Sequence, residues 1–190
     1  MENKIENMNL DRAVHQALFR AEATKNIGLF DGRMGMAVLF SKYGFNTNNP
    51  LYQEYAEEII NKIMHNLSFK EDIGLATGLA GVGWGILYLV NQGLLNGEFL
   101  KYCVKINRCI MYADLRRIED TTFEYGMAGL THYFIYGKHT NVKNWFDEDF
   151  IFDLNNQFNK LLMDKTLMNE VLVGSYVERI FKMIVESIIK

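Results

Sequence analysis

The hydrophobic positions of this chain fall into two kinds of segment that alternate. In the first kind, apolar residues recur at i, i+3, i+4 and i+7. Residues 50–67 are the clearest case, with Tyr52, Tyr55, Ala56, Ile59, Ile60, Ile63, Met64 and Leu67 on one side. Gln53, Glu54, Glu57, Glu58, Asn61 and Lys62 fill the other side, so this is a helix with one buried and one wet face. Asn48 or Asn49 caps it, and Pro50 suits its first turn. The same pattern predicts helices over 11–24 (stripe Val14, Ala17, Leu18, Ala21), 99–112 and 144–162. In the second kind, residues 34–40, 79–90 and 127–136 are apolar all round and are expected to be buried on every side.

Each all-apolar segment follows a glycine-rich turn. The copies read GLFDGRMGMAVLF, GLATGLAGVGWGILYLV and FEYGMAGLTHYFIYG, with a worn fourth, VLVGSYVERIFKMIV. Their anchor glycines Gly32, Gly78, Gly126 and Gly174 stand 46, 48 and 48 residues apart. A fixed period in this range marks a repeat architecture. The unit is an outer amphipathic helix, a turn and a buried inner helix. The fold class is therefore all-α, an (α/α) toroid or barrel of about four helical hairpins, and residues 1–190 form one domain. The glycines of residues 78–85 favour a ring over an open solenoid, because they let inner helices approach closely.

Composition narrows the function. The net charge of −3 carries no clustered basic face, so no nucleic-acid partner is expected. Residues 73–95 are uncharged, but the Gly/Thr turn and Asn91-Gln92-Gly93 leave an apolar core too short for a membrane span, which needs roughly 20 residues. The N-terminal residues have no apolar run, so no secretory signal is expected, and two cysteines in 190 residues suit a reducing, cytoplasmic location. GLAGVGWG lacks the order of a dinucleotide or P-loop motif and reads as packing glycine.

Few residues suit chemistry. Cys103 and Cys109 share a predicted helix and point roughly 120° apart, so they neither bridge nor jointly hold a metal. His132 and His139 are seven apart, with Gly137 between them ending the helix. Asp31 and Thr77 precede the anchor glycines and are expected to cap the inner helices. With Arg33 and Glu124 they are also candidates for the rim of a cavity, a setting of several helix N-termini that suits a polar or anionic group. Trp84 and His132, each six residues past an anchor glycine, are expected near the mouth of that cavity. Asp31 and Glu124 facing each other would suit glycan hydrolysis by two carboxylates.

Four stretches in step, GLFDGRMGMAVLFSKY, NNPLYQEYAEEIINKI, GLATGLAGVGWGILYLVNQGLL and FEYGMAGLTHYF, resemble the lanthionine synthetase C-like family, in the variant found in bacterial peptide-modification clusters. The resemblance covers about residues 26–137. It implies a toroid of six or seven helical hairpins. In catalytic members it implies a zinc ion, held by two Cys and one His, that activates a peptide cysteine for addition to a dehydroamino acid. The Trp-Cys-Gly and Cys-His-Gly turns that carry those ligands do not occur here. No zinc ligand or catalytic residue is carried over, no cofactor is expected, and the toroid is incomplete. The resemblance then implies a non-catalytic or partial member that binds a peptide or a maturation enzyme. Self-association through the open end of the stack, exposing Ile180, Ile184, Ile188 and Ile189, is also expected. The alternatives are a glycan-active α/α-toroid enzyme and a plain helical interaction scaffold.

Overall fold

The computed structural model describes residues 2–138, 145–162 and 176–189. His139 and Gly174 lie outside them, as does most of the fourth turn. The described residues form eight α-helices and no strand: α1 (Glu2–Arg20), α2 (Arg33–Asn46), α3 (Pro50–His65), α4 (Leu79–Asn91), α5 (Leu100–Met111), α6 (Met127–Lys138), α7 (Glu148–Leu162) and α8 (Tyr176–Ile189). The fold is an incomplete α/α toroid of helical hairpins. None of the described helices is long and apolar enough to cross a membrane.

The two hydrophobic patterns separate the helices into two layers. Every residue of α2 from Met34 to Ser41 and of α4 from Leu79 to Leu89 is buried. The outer helix α3 buries Ala56, Ile59, Ile60, Ile63 and Met64 and leaves its glutamates in water. Its Asn49 side chain accepts from Leu51 N–H at 3.2 Å, and Pro50 opens the helix. Along α1 and into the turn after it the buried stripe is Ala13, Val14, Ala17 and Ala21, while Leu18, expected on it, is 40 % exposed. Ala13 takes the place of Leu18 because the stripe is centred nearer Ala17.

The inner helices α2 and α4 pack most extensively on the outer helices that follow them, α3 and α5, and α6 packs on both α4 and the following α7. The packed hairpin is thus inner-then-outer, the reverse of the sequence-based unit. Chain length explains this. Only Thr47, Asn48 and Asn49 join α2 to α3, which forces the two helices side by side. The outer-to-inner connections are long enough to cross over the end of the bundle. The inner helices form a row, α2 beside α4 beside α6.

The eighth helix breaks the pattern. Ser187 reaches Asp31, Ile184 lies against Gly35, and Phe181 lies against Lys42. Rising numbers on α2 meet falling numbers on α8, so α8 runs antiparallel to α2. It is not a fourth inner helix in step with the others. It packs on α1 and α2, at the first end of the row. Ile180, Ile184 and Ile188, expected on an open end, are fully buried there.

Candidate functional site: the rim of the inner helices

The rim is made by three turns of one design. Each begins with a side-chain carbonyl or carboxylate oxygen that accepts an N–H two residues on. Asn26 takes Gly28 at 2.8 Å, Asp72 takes Gly74 at 3.2 Å, and Asp120 takes Thr122 at 2.7 Å. The turn then closes over the helix start, and carbonyls seven residues back receive the first helical N–H groups. Arg33 bonds Asn26, Leu79 bonds Asp72, and Met127 bonds Asp120, at 2.9, 2.8 and 3.0 Å. These bonds satisfy the donors that a helix start leaves orphaned. Asp31 and Thr77, expected to cap, therefore do not. Gly32 and Gly78 hold the N-cap positions, with no side-chain cap.

Glycine is required because the turn backbone lies on the helix. A Cβ at Gly35, Gly81 or Gly129 would overlap the carbonyl oxygen of Leu29, Leu75 or Phe123 respectively. The turns are also stitched to one another. Phe30 N–H donates to Ala76 O at 3.0 Å, and Ala76 N–H donates to Glu124 O at 2.7 Å. Phe30, Ala76 and Glu124 are equivalent positions, so the repeat is in register at the rim.

Asp31, Arg33, Thr77 and Glu124 all stand on this rim. Asp31 has a left-handed backbone, with φ of 53°. Its carboxylate pairs with Arg20, and its N–H donates to Ser187 Oγ at 2.8 Å. Arg33 is half-buried, and its charge helps to hold the Glu22 carboxyl below its usual value, chiefly the work of a hydrogen bond from Lys62. Thr77 Oγ1 donates to Asp72. Glu124 is half-buried, and the turn of Thr77 stands between it and Asp31. The exposed rings of Phe69 and Tyr112, edge-to-face at 5.0 Å, lie beside the outer helices, and Tyr125 is exposed on the third turn itself. The sequence reading missed these three, because an exposed aromatic carries no periodic signal.

Trp84 and His132, expected near a cavity mouth, are both buried. Trp84 is fully buried, stacked on Tyr88 at 5.1 Å and tilted against Tyr136 at 5.5 Å. His132 stacks on Tyr136 at 6.3 Å and meets Phe123 at 5.3 Å. Tyr136 thus joins the two. Burial pushes the His132 pKa down to about 4, so the ring is neutral at pH 7.

Residues 24–175 match the family model described as lanthionine synthetase C-like protein. The chain belongs to the lanthionine synthetase C-like family. No curated protein and no solved structure matches it.

The zinc of catalytic lanthionine synthetase C-like proteins finds no fitting donor set among the described residues. Cys103 and Cys109 are buried on the outer helix α5, away from the turns. Cys103 shares a hydrogen bond with Tyr133, and burial pushes its thiol up to about 12. Tyr133 in turn donates to Asn107 Oδ1 at 2.7 Å, and it enters between helices because Gly83 has no side chain. Burial also raises the Cys109 thiol. A cysteine binds zinc as its thiolate, which both environments disfavour. No three His, Cys, Asp or Glu side chains among the described residues converge.

Proposed function

We propose that this lanthionine synthetase C-like protein serves peptide modification by binding a peptide or a maturation enzyme, without closing thioether rings itself. The observation that carries the reading is the position of its two thiols. Both are buried in the outer layer with raised pKa values, whereas the repeat architecture is intact at the rim. The rim presents Arg33, Glu124 and the exposed Tyr125, with the exposed pair Phe69 and Tyr112 beside it. Mixed charge next to exposed aromatic rings suits a peptide with apolar side chains. We assign the protein to the cytoplasm, treat residues 1–190 as one toroid domain, and expect no cofactor. We assign self-association to the α6–α7 end, since α8 covers the α1–α2 end.

A fluorescent, cysteine-containing model peptide tests this by anisotropy titration. Arg33→Glu with Glu124→Lys is expected to weaken binding about tenfold, the loss of roughly 1.4 kcal/mol. Equal affinity in the variant and the native chain would remove the rim from the account.

A further inference from the structure

The stack of turns has a first end among the described residues, at α2, with no further described turn alongside it. At the other turns an equivalent carbonyl is satisfied by the preceding turn: Ala76 O by Phe30 N–H, and Glu124 O by Ala76 N–H. Among the described residues Phe30 O has no such neighbour. It accepts instead from the Asn26 side-chain amide at 2.8 Å. The residues in the place of Asn26 are Asp72 and Asp120, whose side chains carry no amide donor. Among the three described turns, the amide stands where the ladder begins and a donor is missing.

The same end is covered by α8, antiparallel to the inner row. Ile180, Ile184 and Ile188, spaced by four, are fully buried. Two polar contacts, from Asp31 and from Arg20, hold the end of the helix. Asp31 N–H donates to Ser187 Oγ at 2.8 Å, and that hydroxyl donates to Ile184 O at 2.8 Å. Arg20 donates to Ile188 O at 3.2 Å and to the Asp31 carboxylate. Further along, Lys42 Nζ sits 4.0 Å from the centroid of the Phe181 ring. Repeat stacks associate through uncovered ends, and terminal units with altered chemistry prevent it.

We propose that α8 is a built-in end cap. It occupies the side of α2 where another inner helix would add, and with Asn26 it keeps a second copy of this chain from extending the stack there.

Sedimentation velocity on the full chain, over a concentration series, tests the cap. Ile184→Asp is expected to keep its helical circular dichroism and at least to double the weight-average mass. An excess of peptide 176–190 is expected to reverse the rise. A folded variant at the native mass overturns the proposal, and so does a rise that the peptide leaves unchanged. If Ile184→Asp does not fold, the milder Asn26→Asp/Ser187→Ala pair decides. A rise in mass with faster hydrogen exchange at the Asp31 amide supports the cap, and native mass overturns it.

Discussion

At His132 the surroundings alone separate the folded and unfolded protonation states. Burial lowers the folded pKa to about 4, against 6.5 for the exposed ring. Between these values the unfolded chain binds the proton and the folded chain does not. Stability is therefore full above pH 6.5 and falls as the pH drops towards 4, by about 3 kcal/mol in all. Urea melts at pH 7, 6 and 5 should show this slope, and His132→Gln should flatten it. An unchanged slope in the variant would refute the burial account. From its spacing His132 reads as a residue near a mouth, and its burial was not legible. Its neighbours Phe123 and Tyr136 come from a turn and from the next helical turn, and periodicity assigns no partners. The capping role expected of Asp31 and Thr77 failed for a similar reason. Spacing predicts that a helix start needs acceptors, but not that backbone carbonyls seven residues back supply them.

At the scale of elements, the turns are the conserved unit within this chain, and their glycines are the most testable part. A methyl at Gly81 meets the Leu75 carbonyl oxygen, a backbone atom with no freedom to yield. Gly81→Ala is expected to cost about 3 kcal/mol, the upper range of overpacking. Gly97, on the connection before α5, has nothing within 4 Å of the added methyl, so Gly97→Ala should stay within about 0.5 kcal/mol of the native chain. Equal midpoints for the two variants in chemical denaturation would contradict this reading. The layers themselves were legible. All-round apolar runs became the inner helices, and one-sided stripes became the outer ones. The pairing of inner helix with following outer helix was not legible, because it follows from loop lengths rather than from the stripes. The direction of α8 was hidden too. Its isoleucine stripe says that one face is buried, not against which end of the row.

At the scale of the molecule, the 46- and 48-residue period placed the chain in a toroid of hairpins, and the family match over residues 24–175 agrees. What repeats in register along the chain is its rim and its inner row. Its two thiols sit instead in the outer layer, where Cys103 serves a buried network with Tyr133 and Asn107. On the proposed function this protein engages a peptide and leaves its chemistry untouched. The direct measurement incubates the purified protein, with zinc supplied, with a dehydrated peptide that carries one free cysteine. Ring closure leaves the peptide mass unchanged and consumes its thiol, so alkylation followed by mass spectrometry reads the outcome. The account predicts a bound peptide whose cysteine remains fully alkylatable. Time-dependent loss of that thiol at constant peptide mass would contradict it.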